Sequence, residues 1–391
     1  ILTDVKSKGS KAALEYARKY DGYNDDIKVT RKEFEDAENK IDSNVKKAMI
    51  RAYKNIENFH LHQKPQSYSV ETEPGVKCSR EFRPIENVGL YIPGGSAPLP
   101  STLLMLGIPA KIAGCKRIIA ASPVGNNLPP EILFAANLCG IKEFYKIGGA
   151  QAIALMAYGS KSVKKADKIF GPGNQYVTAA KMLVSIDPEG CAIDMPAGPS
   201  EVLVIAEENS DPEFVASDLL SQAEHGNDSQ SLLVSDSQKL VELVEEEIVL
   251  QTERLTRKKI IEQSLKNSFA LITENLSEAI NFSNDYAPEH LILNIKDAGK
   301  YIPLIQNAGS VFLGEFSPES AGDYASGTNH SLPTYGYAKS YSGVSVESFM
   351  KSISFQELSK EGLSALSETI INLAEAESLD AHSSAVKVRM K

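Results

Sequence analysis

Cysteine is scarce in this 391-residue chain: Cys78, Cys115, Cys139 and Cys191 are scattered, and no C-x-x-C pair occurs. That excludes a thiolate metal framework, suits a reducing cytoplasm, and leaves any metal to nitrogen and oxygen ligands. Long apolar runs are also missing. None reaches the roughly 18 residues that span a bilayer, and no signal peptide opens the chain. There is no strong basic block, and 41 Lys and Arg against 51 Asp and Glu leave a net charge of −10. This argues against a nucleic-acid or anionic-membrane partner. Tryptophan is absent, but 42% of the residues are hydrophobic, the composition of an ordinary globular protein long enough for two or three domains. The first residue is Ile1 rather than Met, inside a helical pattern, so an N-terminal piece is expected to be missing.

The spacing predicts an amphipathic helix over 1–20 that stops at Asp21-Gly22. A Thr30-Arg31-Lys32-Glu33 capping box then opens a long helix to about residue 60. His60 and His62 at its end would point apart and read as solvated groups. Residues 68–91 read as a β-rich connector. Helices over 101–114, 129–140 and 151–159 then alternate with strands over 117–121, 144–147 and 167–170. Each strand ends in Gly or Pro. That alternation is the pattern of βαβ units on a parallel sheet, whose ligands bind at the carboxyl ends of the strands.

A second α/β sheet is predicted from strand-like segments at 231–234, 269–272, 290–293 and 311–313. The charged helix over about 238–267 reads as a solvated outer face. Gly314 to Ser342 has no periodicity; a loop this long is functional or disordered, and Tyr324, Tyr335 and Tyr337 argue for order. A helix over 361–376 leads to a polar tail.

The residue types that carry chemistry gather at the edges of these elements. Asp211 and Pro212 open a helix that Gly226 ends, with Phe214, Val215, Leu219 and Leu220 as apolar anchors. Near its end Gln222 and His225 are three apart, on one face and about 5–6 Å from each other. The pair is either two ligands of one small ion or a dipole partner at a helix terminus. Three glycine-rich turns, Pro93-Gly94-Gly95-Ser96, Ile147-Gly148-Gly149-Ala150-Gln151 and Phe170-Gly171-Pro172-Gly173-Asn174, lie between strand and helix and offer bare N–H groups to an anion. None spells G-x-G-x-x-G, since Tyr176 stands where the third glycine belongs. They either bind a dinucleotide in a variant manner or only make tight turns.

Tyr286-Ala287-Pro288-Glu289-His290 places a carboxylate beside an imidazole, suited to general acid–base work or to a plain salt bridge. Strand alternation would send Glu289 and His290 to opposite faces unless the turn at Pro288 spares it. Asp323, between glycines, is either a cation ligand or a turn cap. Glu377 and His382 lie five apart in the tail, on different faces of any helix, and as an isolated motif read as solvated. His225, His290, His330 and His382 all sit in polar, loop-edged motifs. Gln, His, Asp and His would make a nitrogen and oxygen set for Zn²⁺ with room for substrate.

Six stretches in order, Gly89-Leu90-Tyr91-Ile92-Pro93-Gly94-Gly95, Gly171-Pro172-Gly173-Asn174, Pro199-Ser200-Glu201-Val202, Ser221-Gln222-Ala223-Glu224-His225-Gly226, Ala287-Pro288-Glu289-His290 and Asp380-Ala381-His382, resemble the histidinol dehydrogenase family. The resemblance covers essentially the whole chain. It implies oxidation of L-histidinol to L-histidine through the aldehyde, with two NAD⁺ reduced in succession. By matching position it implies zinc held by Gln222, His225, Asp323 and His382, and acid–base roles for Glu289 and His290. It further implies substrate contacts at Ser200, His330 and Glu377, and NAD contacts at Tyr91, Gln151 and Asn174. Gln222, His225, His290, Asp323 and His382 would also meet the substrate.

The implied fold is two incomplete Rossmann-like domains, 91–201 inserted into a second formed by 1–90 and 202–339. The tail, 340–391, would reach into the partner of a homodimer. Members of the family carry a further N-terminal segment. The rivals are a relative oxidising another small alcohol, such as a sulfonated diol, and a non-catalytic metal- or nucleotide-binding protein. Glu377 and His330 weigh against the first, the Glu289-His290 pair against the second.

Overall fold

The computed structural model describes residues 1–94, 99–124 and 128–391, so Gly95 and Ser96 of the first glycine-rich turn lie outside the described residues. The described strands are β1 (Tyr68–Glu73), β2 (Val76–Pro84), β3 (Asn87–Tyr91), β4 (Arg117–Ser122), β5 (Glu143–Lys146), β6 (Lys168–Phe170), β7 (Ala192–Ile193), β8 (Glu201–Ala206), β9 (Gln230–Ser235), β10 (Phe269–Ile272), β11 (His290–Asn294), β12 (Ser310–Leu313) and β13 (Met350–Leu358). They fall into two compact units, residues 1–63 with 85–349 and residues 64–84 with 350–391.

The larger unit holds two five-stranded sheets, β5-β4-β3-β6-β7 and β10-β9-β8-β11-β12, parallel throughout. The fold is therefore α/β with two Rossmann-like sheets. In each, the order runs outward from the first strand to one side and then resumes on the other, so β3 beside β6 and β8 beside β11 mark the reversals. The central strands β3, β8, β9 and β11 are short, largely apolar and buried on both faces, as parallel strands covered by helices must be, while the edge strands β7, β10 and β12 are partly exposed. Ile119, Ala121 and Ile169 pack under Ile153, Leu155 and Met156 of the helix Gly149–Tyr158. Val202, Val204 and Leu233 pack under Val215, Ala216 and Leu219 of the helix Pro212–Ala223.

The N-terminal residues belong elsewhere than the sequence predicts. Val5, Ala12, Ala13, Ala17, Tyr23 and Ile27 join the core of the first sheet, so residues 1–30 pack with 91–201 rather than with the second sheet. The helix over 1–20 is two helices, Leu2–Lys8 and Ser10–Asp21, broken at Gly9, whose φ of +59° suits a residue without Cβ. The capping box at Thr30 forms as predicted, but its helix ends at Lys40. The side chain of Asp42 accepts from the N–H groups of Asn44 and Val45 and starts a new helix, Ser43–Leu61. His60 is not solvated: it is buried, its Nδ1 donates to the Ile56 carbonyl at 2.9 Å and its Nε2 lies 3.3 Å from Asn329 Nδ2.

The stretch over 238–267 divides into Gln238–Thr252, Lys258–Ser264 and a short 3₁₀ turn, with Leu240, Val241 and Val244 buried, so one side of it faces the core. Of the tyrosines in Gly314–Ser342, Tyr324 and Tyr335 are exposed, while Tyr337 packs edge-on against Tyr341 with ring centroids 5.8 Å apart. Asn329 ties the segment to the core, its Nδ2 donating to Met105 O at 2.6 Å and its Oδ1 accepting from Ser331 N at 2.9 Å.

The smaller unit is the antiparallel sheet β1-β2-β13 followed by the helices Lys360–Ala376 and Asp380–Lys387. β2 and β13 pair over their full length, from Val76 against Leu358 to Pro84 against Met350. That ladder takes 64–84 out of the domain predicted to start at residue 1, and the unit's second segment starts at 350 rather than 340. The polar tail is helical. Glu377 caps the first helix and His382 is exposed on the second.

Candidate active site

Two sheet edges frame one cavity of about 280 Å³. The chain leaving β3 brings Pro93, and the chain leaving β6 brings Pro172, Gly173 and Asn174, both from carboxyl ends of the first sheet. The second sheet contributes its amino ends: His290 is the first residue of β11, beside Val202 in β8. Ser200, His225, Glu289, Asp323 and His330 complete the polar wall. Ala287, in the left-handed region at φ +57°, turns the chain so that Glu289 enters before the strand alternation begins. Glu289 and His290 therefore border the same space.

His290 is held in one tautomer. Its Nδ1 lies 3.2 Å from the Glu201 carbonyl, which can only accept, so Nδ1 carries the hydrogen. Glu319 Oε1 at 3.4 Å and Glu289 Oε2 at 3.6 Å surround the same nitrogen. Nε2 is buried without a hydrogen-bond partner among the described residues, 3.8 Å from Asp323 Oδ1. Burial, reinforced by His225 and His330, pushes the imidazole down to about 3, so the ring is neutral and Nε2 offers its lone pair. His330 is oriented the same way. Its Nδ1 donates to Asp323 O at 3.0 Å and its Nε2 accepts from the Thr102 hydroxyl at 3.1 Å; burial pushes it down to about 4.

Carboxyl groups crowd this neutral ring. Burial raises Asp323, Glu201 and Asp218 each to about 7. Burial, with neighbouring carboxylates, raises Glu289 and Glu319 well above the usual range. Glu289 Oε2 accepts from Glu201 N at 2.9 Å, and Glu201 Oε1 from Tyr335 N at 3.0 Å. Other oxygens are left over: Glu201 Oε2, Glu319 Oε2 and Asp323 Oδ1 are buried without partners among the described residues, as are both amide atoms of Gln222. A buried amide that makes none of its bonds costs about 1–3 kcal/mol per group. Ligand atoms of His225, Glu319 and Asp323 all lie within 4.8 Å of one another. Orphaned oxygens, an amide and an imidazole around surplus negative charge form a donor set that fits a divalent cation.

The sequence profile of the histidinol dehydrogenase family matches residues 1–390. This chain belongs to that family. It is 53% identical over 395 aligned residues to the histidinol dehydrogenase of Vibrio parahaemolyticus, covering all of this chain and 90% of that protein. It is 52% identical to that of Photobacterium profundum, covering 88% of it. The crystal structure of histidinol dehydrogenase from Elizabethkingia anophelis superimposes with a TM-score of 0.96 at 52% identity, over the whole of this chain and 90% of that one.

Within this histidinol dehydrogenase fold the expected residues separate into groups. Ser200, His225, Glu289, His290, Asp323, His330 and Asn174 border the cavity. The helix carrying Gln222 ends at Ala223 with Glu224 as its cap. Gln222 is therefore fully buried in the last turn, while His225 follows the cap and is exposed; they do not share a helical face. Phe214 is exposed rather than an anchor. Tyr91 and Gln151 lie behind the wall: the Tyr91 hydroxyl accepts from Gly149 N at 3.0 Å, and Gln151 Nε2 reaches Asp21 Oδ2 at 3.3 Å. Glu377 and His382 belong to the smaller unit. Glu319, Glu201 and Asp218 were not among the predicted site residues. Glu319 had a legible sign, standing four residues before Asp323 on the helix Glu319–Tyr324, the spacing that puts two side chains on one face.

Proposed function

We propose that this chain oxidises L-histidinol to L-histidine through the aldehyde, with zinc bound and two NAD⁺ reduced per turnover. The observation that carries this reading is the buried, unprotonated and unpartnered Nε2 of His290 beside a cluster of unpartnered ligand atoms. Gln222, His225 and Asp323 would hold the zinc, joined by the partner subunit's His382 in a homodimer that exchanges its C-terminal segment. Bound zinc supplies a Lewis-acid template for the imidazole and amine of the substrate, and bound NAD⁺ the hydride acceptor.

The chain's own residues move the protons. His290 Nε2 takes the hydroxyl proton as the carbinol C–H bond gives up its hydride, while Nδ1–H stays on the Glu201 carbonyl. Water then adds to the aldehyde carbon: Glu289 takes a proton from the water, and His290 hands the proton it gained to the carbonyl oxygen, which completes the hydrate and frees Nε2 again. Burial makes that carboxylate a stronger base than an exposed glutamate. His290 takes the hydroxyl proton of the hydrate as the second hydride departs, leaving the carboxylic acid. Ser200 and His330 position the substrate from the cavity wall, with Glu377 serving across the dimer. Asn174 would contact NAD⁺ directly, whereas Tyr91 and Gln151 would support the Gly149 turn from behind. The surplus of carboxylates favours a cationic amino alcohol over a sulfonated diol, whose anion they would repel.

Substitution of His290→Gln tests the assignment. Turnover of L-histidinol should fall about 10²–10⁴-fold, the usual worth of a general base, with zinc content and NAD⁺ affinity retained. Turnover near the unsubstituted rate would remove His290 from the chemistry.

A further inference from the structure

The second sheet has a crevice that the catalytic cavity does not use. The catalytic groups sit at the amino ends of β8 and β11, which begin at Glu201 and His290. The strand order of this sheet reverses between the same two strands. In open parallel sheets, ligands bind outside the carboxyl ends at such a reversal. At those ends a separate cavity of about 450 Å³ opens among the segments that follow β8, β11 and β12, and it shares no lining residue with the catalytic one. A volume of this size holds a small organic ligand.

The wall carries a specific donor. Asn294, the last residue of β11, is 3% exposed, and its Nδ2 has no hydrogen-bond partner among the described residues. The Ser210 hydroxyl donates to its main-chain carbonyl at 2.6 Å, which ties the segment after β8 to the end of β11; the side-chain N–H₂ is the buried donor available to a ligand. Around it stand the carboxylates of Glu207 and Glu315, Lys296, and the ring of Phe316, which is 80% exposed. An aromatic face open to solvent at a cavity mouth suits a stacked base. Carboxylates at the carboxyl ends of doubly wound strands suit ribose hydroxyls. Asp297 is paired with Lys300 at 2.6 Å, which leaves Glu207 and Glu315 outnumbering Lys296, a balance that repels phosphate.

We propose that this crevice binds an uncharged nucleoside, with the base on Phe316, an acceptor atom at Asn294 Nδ2 and sugar hydroxyls donating to Glu207 or Glu315. It is a site apart from catalysis, and the proposal stands whether or not the assigned chemistry does.

Calorimetric titration of the intact protein with adenosine tests it, alongside two variants. Asn294→Leu removes the donor at nearly constant volume. Gly299→Leu adds bulk at a lining position of the crevice, where a Cβ meets no atom within 4 Å, so the fold accommodates it. The expected result is one saturable adenosine site per chain, weakened about tenfold or more by each variant at unchanged melting temperature, with adenosine monophosphate binding more weakly than adenosine. Absence of saturable binding, or an affinity that neither variant changes, would overturn the proposal; the second outcome would place adenosine in the catalytic cavity instead.

Discussion

His290 Nε2 and Asp323 Oδ1 stand 3.8 Å apart, and burial moves their protons in opposite directions, one down to about 3 and the other up to about 7. The cause is shared: a desolvated site disfavours whichever form is charged. Without metal, the folded Asp323 carboxyl keeps a proton that the unfolded chain releases near 3.8. The resulting stability is therefore present at low pH and lost as pH rises through about 7. A bound cation reverses the preference, because it needs the ionised carboxylate. The melting-temperature gain on adding Zn²⁺ should accordingly grow between pH 5 and pH 8; a gain independent of pH would take Asp323 out of the metal site. Glu289, His290 and Asp323 were legible because polar residues at loop edges have few structural reasons to be there. Glu201 and His60 were not. Glu201 opens a strand of apolar residues, and the burial of His60 depends on Asn329, far away in the chain.

Between elements, one buried ion pair supports the glycine-rich turn after β6. Lys181 Nζ lies 2.5 Å from Asp194 Oδ1 and donates to the Gly171 carbonyl at 2.8 Å, while Gly171 N donates to Asp194 Oδ2 at 2.7 Å. Gly171 has φ +121°, and a Cβ there would meet the Tyr91 carbonyl at 2.0 Å, so no other residue fits. Lys181→Met leaves Asp194 buried and unpaired, which should cost about 3–5 kcal/mol in urea unfolding and raise the KM for NAD⁺. The double variant Lys181→Met/Asp194→Leu should recover much of the stability, and an unaltered midpoint in the single variant would contradict the clamp. The βαβ alternation was readable from apolar runs and glycine punctuation. The breaks at Gly9 and Asp42 were not, because helical periodicity continues across both and only the cap geometry interrupts it. The pairing of β2 with β13 left no local trace either, since it joins segments far apart in sequence.

At the scale of the whole molecule, the account needs a second copy of the chain. His382 is exposed on the last helix, and the proposal gives it to the other subunit's zinc. Two inactive variants, His290→Gln and His382→Ala, should therefore rescue each other when unfolded together and refolded. By two-fold symmetry roughly a quarter of the normal activity is expected, from one intact site in each mixed dimer and mixed dimers forming half the population. A tail serving its own subunit would give no rescue. The central claim, a zinc-dependent oxidation by four electrons, is tested most directly by counting NADH formed per L-histidinol consumed, with and without a chelator. Two NADH, abolished by chelation and restored by Zn²⁺, is the predicted result. One NADH, or two that persist in chelated protein shown to be free of metal, would contradict it.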